Sequence, residues 1–338
     1  MAAIRPRDLL PDSLLEGLAK TGAPGDKAGA LAGNIARLAE VGYLDVALPA
    51  EFGGLGCTLR QAACGQRRLA RHAPDTALAV SAHLYWTGAA ADAYRADDDS
   101  MRWILAEAAR GALFAGGHGE AGGDLRFADP RSRCEPSGES GYLFRDSGVL
   151  STMTPAWDWI AVHAVHAAAR PASVIAFAGH GTRRTPAFRV ARVCAAGTPG
   201  DVFTTSALTW GHSILASVQY SGARRAFNDA ITACAEAVTP AAFAGSQVAR
   251  TRPTGIDGPP ADRWPVADAG VLLDAMKAKI ADITHPWQLT QGSAPDLGGQ
   301  HLISLYAMRH EVAEGAASVH GLAGQLTGTA ARSRPLAP

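Results

Sequence analysis

Cysteine and aromatic residues are scarce in this chain of 338 residues, and neither sign of charge dominates it. The five cysteines are scattered and form no CxxC pair, so we expect neither a metal site nor a disulfide framework. Lysine plus arginine and aspartate plus glutamate both number 31. This balance does not supply the positive field that nucleic acid or an anionic membrane surface attracts, so we expect no nucleic-acid partner.

Long hydrophobic runs are also missing. No stretch approaches the length of a membrane span, and the N-terminal segment lacks the apolar run of a signal peptide. Hydrophobic residues still make up 47% of the chain and charged residues 18%, which is typical of a globular protein with a substantial core. We therefore expect a cytoplasmic protein without a membrane partner.

Three regions of different periodicity follow one another along the chain. Apolar residues recur at helical spacing in the first region and again in the last. The middle region is richer in glycine and proline, and its short alternating runs are typical of strands with one buried face. We predict a mainly α fold with a small β domain: an N-terminal helical domain over 1–110, a middle antiparallel β-barrel-like domain over 111–203 and a C-terminal helical bundle over 204–338.

One long segment, 41–84, combines a glycine-rich turn with two helices. It reads VGYLDVALPAEFGGLGCTLRQAACGQRRLARHAPDTALAVSAHL and contains the pattern Pro-x-x-aromatic-Gly-Gly-x-Gly. Gly53, Gly54 and Gly56 allow a tight turn between packed helices, where side chains would clash. We interpret this segment as a marker of the fold and His83 as a hydrogen-bonded helix residue rather than a catalyst.

Two later segments complete a pattern. LFAGGHGEAGGDL (113–125) is a glycine-rich stretch, and SGYLFRDSGVLSTMTPAWDWIAVHA (140–164) carries Gly-Tyr followed by Thr and Ala-x-Asp-x-x-x-Val. Taken in order, the three segments resemble the acyl-CoA dehydrogenase superfamily of flavoproteins. The resemblance covers most of 20–330 and is strongest in the first half.

The resemblance implies an FAD cofactor and places two segments against it. In the family the glycine-rich backbone lies along the flavin, and a Thr or Ser in the later motif approaches the reactive edge of the ring. Positioned donors there stabilise the negative charge that an arriving hydride brings. The residues that fall on these motifs, and are expected to bind the cofactor, are His118, Gly119, Glu120, Leu150, Ser151 and Thr152.

The family pattern is altered at several of these positions. Gly119 replaces the motif's Thr, and Leu150 replaces the aromatic residue that covers the ring. Gly148 replaces the motif's Lys. Backbone N–H groups at Gly119 could still face a flavin, because glycine permits close approach.

The resemblance also implies where a catalytic base belongs. Family members remove a proton alpha to a thioester carbonyl while a beta hydride passes to FAD, and the base is normally Glu. Most members carry it after the glycine-rich stretch near the C-terminus, beyond the point where this sequence ends at Pro338. A minority carry it ten residues before a glycine in the first helix of the last domain. Counting back from Gly222 gives His212, and a histidine can act as a base near neutral pH; Asp201 and Glu236 are further carboxylates with no spacing argument.

Three functions follow from these features. The first is an FAD-dependent acyl-CoA dehydrogenase of fatty acid metabolism, acting on the CH-CH group of an acyl thioester or another small molecule. The second is a two-component monooxygenase on the same scaffold, which receives reduced flavin from a reductase and does not need the Glu. The third is a non-catalytic relative that serves as a binding subunit. Because relatives are usually dimers of dimers, we expect a homodimer or homotetramer.

Overall fold

Helices open and close the chain, and strands lie between them. The computed structural model describes residues 6–20, 27–116, 133–137, 141–145, 156–166, 172–179, 188–195, 201–237, 260–289 and 299–332. The helices are α1 (Asp12–Lys20), α2 (Lys27–Glu40), α3 (Leu59–His72), α4 (Pro74–Arg95), α5 (Arg102–Ala108), α6 (Val202–Ala237), α7 (Pro260–Leu289) and α8 (Gly299–Arg332). The strands are β1 (Phe114–Gly116), β2 (Arg133–Ser137), β3 (Gly141–Arg145), β4 (Trp159–His166), β5 (Ala172–Gly179) and β6 (Phe188–Ala195). The prediction of a mainly α fold with a small β part is confirmed.

The sheet is mixed, so the prediction of an antiparallel domain is wrong in this respect. Its strand order is β3-β2-β4-β5-β6, and β1 also pairs with β4. The pairs β2–β3, β4–β5 and β5–β6 are antiparallel, whereas β1 and β2 both run parallel to β4. Alternation in a sequence reports which face of a strand is buried, not the direction of its neighbour. Cα atoms of β3 and β6 come within 8 Å of each other, so the sheet curls.

An aromatic cluster joins the sheet to helices from both ends of the chain. Trp86 of α4 lies 4.9 Å from Phe177 of β5 and 5.9 Å from Phe203 of α6, measured between ring centroids. Trp103 of α5 meets Phe177 at 5.4 Å with its ring nearly perpendicular. Edge-to-face contacts of this kind add to the stabilisation that burial of the rings provides.

The glycine turn between α2 and α3 has the role that its sequence predicts. Gly53 and Gly56 have φ angles of +82° and +59°, a region that favours glycine. A Cβ atom on Gly54 would lie 2.3 Å from the carbonyl oxygen of Leu48. This turn therefore requires glycine for both backbone conformation and space.

Two helical glycines differ sharply in their surroundings. A Cβ atom on Gly88 of α4 would lie 2.4 Å from ring carbons of Trp210, so α4 and α6 pack closely there. A Cβ atom on Gly222 of α6 would meet nothing within 4 Å among the described residues. Among the helices that the structure describes, none is long and apolar enough to cross a membrane.

Candidate functional site

The two segments expected to contact a cofactor border the same strand, β4. Gly116, at the end of β1, pairs with Ala161, and Arg133, at the start of β2, pairs with Val165. Arg145, at the end of β3, pairs with Arg133. The strand register therefore brings the described ends of both segments to neighbouring positions of one sheet. The predicted cofactor residues themselves lie outside the described residues: His118, Gly119, Glu120, Leu150, Ser151 and Thr152.

A buried histidine of β4 lies between Ala161 and Val165, the residues of β4 that pair with the ends of β1 and β2. His163 is 8% exposed and sits two residues from Ala161 and two from Val165. Residues two apart share a face of a strand, and the partner of Ala161 is Phe177, which packs on Trp86 of α4. His163 therefore lies on the face of the sheet that is turned to the helices. The alternation in its strand could have singled it out, but the sequence analysis did not.

His212 is buried in the first half of α6, on the side that meets α8. It is 3% exposed, and its ring meets that of Tyr306 edge to face at 5.3 Å. One turn earlier, the hydroxyl of Thr209 lies 3.0 Å from Nε2 of His301. Burial lowers the pKa of His301. The seam between α6 and α8 thus holds two histidines and a tyrosine, of which His212 is buried while Tyr306 is 39% exposed.

The first of the two carboxylates considered beside His212 has a structural role. Asp201 caps the N-terminus of α6: its Oδ1 accepts a hydrogen bond from the Thr204 backbone N–H at 3.0 Å, and its Oδ2 accepts one from the Thr204 hydroxyl at 3.1 Å. Glu236 lies in the last turn of α6, and its side chain is outside the described part of the chain. His212 is therefore the described candidate for a base in this helix.

A carboxylate that the sequence analysis missed organises the contacts of α4 with α6 and α7. Oδ2 of Asp92 accepts hydrogen bonds from the indole N–H groups of Trp210 at 2.7 Å and Trp287 at 2.9 Å. Its Oδ1 accepts one from Arg95 at 3.0 Å. Burial raises the pKa of Asp92, while the donors around it act in the opposite direction. The ring of Trp287 in turn stacks on His301 at 5.2 Å, so Asp92 is linked to the α6–α8 seam.

No family model and no curated protein matches the sequence. Solved structures do match in fold. KijD3 in complex with FMN and dTDP-3-amino-2,3,6-trideoxy-4-keto-3-methyl-D-glucose is 18% identical with a TM-score of 0.65, covering 100% of this chain and 90% of that chain. The 3-HSA hydroxylase of Rhodococcus sp. RHA1 is 14% identical with a TM-score of 0.67, covering 97% and 88%. The butyryl-CoA dehydrogenase of Megasphaera elsdenii is 14% identical with a TM-score of 0.65, covering 96% and 88%.

The chain has the acyl-CoA dehydrogenase fold. The three solved structures carry the names of different enzymes, so the acyl-CoA dehydrogenase fold by itself does not select a reaction. In the part of the chain that is described, no group of three or more His, Cys, Asp or Glu side chains could hold a metal ion.

His83 stabilises the helical part of this acyl-CoA dehydrogenase fold, as the sequence analysis predicted. Its Nδ1 lies 3.3 Å from the Phe114 backbone N–H, which donates to it, and its Nε2 lies 3.1 Å from the carbonyl oxygen of Leu44. These partners suit a neutral ring that accepts at Nδ1 and donates at Nε2. Burial lowers the pKa of His83 to about 4. The residue ties α4 to β1 and needs no catalytic role.

The depressed pKa of His83 predicts acid sensitivity. Below about pH 6.5 the unfolded chain takes up a proton at this position while the folded protein does not until pH approaches about 4. Stability from His83 is thus fully present above pH 6.5 and is lost as pH falls through this window, by roughly 3 kcal/mol at most. Urea unfolding at about pH 7.5 and about pH 4.5 should show that His83→Gln loses less stability on acidification than the wild type.

The matched control for this measurement is His320→Gln, which changes an exposed histidine of α8. Its acid dependence should follow that of the wild type, because this substitution leaves His83 and its buried partners unchanged. A His83→Gln variant with unaltered acid dependence would show that His83 is protonated in the folded protein.

Proposed function

We propose that this chain is a flavin-dependent oxidoreductase that binds FAD between the sheet and the helices and oxidises the CH-CH group of an acyl thioester. The register of β1, β2 and β3 around β4 carries the proposal, because it anchors both segments with predicted flavin contacts beside one strand. The bound flavin would supply the hydride acceptor. The chain's own task is to orient the substrate, exclude water and accept a proton.

His212 is the proposed proton acceptor. Its burial against Tyr306 supports this role, since a base in a dry site is not competing with water for the proton. Asp201 is committed to capping α6 and is not available for the same task. The link from Thr209 through His301 to Trp287 and Asp92 would hold α6 and α8 in register around His212.

A two-component monooxygenase is the second proposed function. It is favoured by the histidine at a position where the dehydrogenase pattern has a carboxylate, because oxygen transfer from reduced flavin does not require a base for an alpha proton. The fold shared with 3-HSA hydroxylase is compatible with it. In this alternative a separate reductase supplies reduced flavin, and His212 would position the substrate.

A visible absorption spectrum of the purified protein, recorded before and after addition of FAD, tests the flavin. We expect a yellow protein, and bleaching on addition of butyryl-CoA supports the dehydrogenase. Oxygen consumption with reduced flavin, and no bleaching by butyryl-CoA, supports the monooxygenase. A colourless protein that ignores both FAD and FMN contradicts both proposals and leaves a non-catalytic binding subunit.

His212→Gln should lower kcat with butyryl-CoA by about 100-fold, the contribution that a positioned general base typically makes. Flavin affinity should be unchanged, because His212 lies on α6 rather than beside β4. Stopped-flow reduction of the bound flavin measures the effect directly. His310→Gln, at an exposed position of α8, is the control and should keep the wild-type rate. Full activity in His212→Gln would assign proton removal to another residue.

A further inference from the structure

Two serines of α6 have buried hydroxyl groups for which the described residues supply no hydrogen-bond partner. Ser213 and Ser217 are both 0% exposed, and neither Oγ atom has a partner among the described residues. Two threonines of the same helix behave differently: Thr205 donates to the carbonyl of Asp201 at 2.9 Å, and Thr209 donates to that of Thr205 at 2.8 Å. The local backbone contacts that usually satisfy such groups in a helix are therefore not used by these two serines.

The two hydroxyls are directed into the helical bundle rather than along its surface. Helical geometry places Ser213 and Ser217 between the side of α6 that meets α8 and the side that meets α3 and α4. The first side is marked by the contact of Thr209 with His301 and the second by that of Trp210 with Asp92. Ser213 directly follows His212, so the hydroxyls lie at the same level of the bundle as the proposed proton acceptor.

Burying a hydroxyl without a partner is unfavourable, and natural proteins leave few such groups. Alanine would fill nearly the same space at both positions without this cost. Two hydroxyls one helical turn apart, both without a partner in the described part of the chain, are therefore a feature that the described packing does not explain. A protein tolerates such a loss of stability at a functional site, where a bound ligand can complete the hydrogen bonds.

We propose that Ser213 and Ser217 form a recognition site for a neutral polar group of the substrate, a hydroxyl or a ketone, and that at this position the pair prefers such a group to an alkyl group of the same shape. A hydroxyl both donates and accepts, so the pair can satisfy either of these groups, whereas a charged group would be costly to bury there. The assignment of the ligand as substrate rests on the proposed function. The hydrogen-bonding site itself does not depend on the presence of flavin.

Thermal unfolding of the full chain tests whether the hydroxyls are unsatisfied. Ser213→Ala and Ser217→Ala should each raise Tm by about 2 °C, because each removes a buried polar group that has no partner. Ser221→Ala is the matched control on the same helix: Ser221 is 4% exposed and its hydroxyl donates to the carbonyl of Arg67 at 2.9 Å. It should lower Tm by about the same amount. A fall in Tm for Ser213→Ala and Ser217→Ala like that of the control would overturn the proposal.

Binding of two probes of equal shape tests the preference for a polar group. Cyclohexanol and methylcyclohexane differ by a hydroxyl in place of a methyl group, and saturation-transfer NMR gives both dissociation constants. The ratio of the two constants should shift toward methylcyclohexane by about tenfold in the Ser213→Ala/Ser217→Ala variant, and should not shift in Ser221→Ala. An unchanged ratio, or no binding of either probe to the wild type, overturns the site. Neither measurement uses turnover, so a protein inactive on acyl thioesters can still confirm or refute it.

Discussion

Replacing Trp86 with alanine should lower the free energy of unfolding by about 3–5 kcal/mol, the usual range for removal of a buried tryptophan. Trp86 is 0% exposed and lies where α4, the sheet and α6 meet. Its ring contacts Phe177 and Phe203, so truncation removes contacts to both the strand and the last helical region at once. The cavity could not close without moving one of these elements, which places the expected loss at the upper part of the range.

The same substitution at an exposed tryptophan provides the control. Trp264, near the start of α7, is 71% exposed, and Trp264→Ala should change the free energy of unfolding by no more than about 0.5 kcal/mol. Equilibrium urea unfolding of both variants gives the comparison. Equal losses for the two variants would mean that the aromatic cluster does not join the sheet to the helices.

Periodicity in the sequence was enough to predict the order of helices, strands and helices, because apolar residues recur at a different spacing in helices than in strands. It could not predict the direction of strand pairing. Runs such as 159–165 and 172–178 show which side of a strand is buried, yet β4 pairs in parallel with β1 and β2 and antiparallel with β5. Parallel pairing depends on long connections, whose course local spacing does not encode.

The candidate site was predictable only where a local motif exists. Spacing from Gly222 singled out His212, but its neighbour Tyr306 comes from a helix nearly a hundred residues later and leaves no local signal. Asp92 is the clearest omission. It stands among alanines in α4, and its partners Trp210 and Trp287 lie 118 and 195 residues away in the chain. A single sequence does not reveal contacts between residues so far apart in the chain.

Because its partners come from three helices, α4, α6 and α7, the loss of Asp92 should destabilise several contacts of the helical bundle at once. Asp92→Ala removes the acceptor for Trp210, Trp287 and Arg95 in one step. Two indole N–H groups would remain in an interior where Trp210 is 1% exposed and Trp287 is 8% exposed. We expect the free energy of unfolding to fall by about 3–5 kcal/mol, since unpaired buried donors and an unpaired cation each lose stabilisation.

Two comparisons separate the hydrogen bonds of Asp92 from its charge. Asp92→Asn keeps one carbonyl oxygen as an acceptor, so it should retain roughly half of the stability that alanine loses. Asp229→Ala removes a carboxylate of α6 that is 71% exposed and 3.7 Å from Arg225, and it should cost no more than about 0.5 kcal/mol. Urea unfolding of the three variants ranks them. Wild-type stability in Asp92→Ala would show that the two tryptophans find other acceptors, and the proposed alignment of α6 and α8 around His212 would then lose its physical basis.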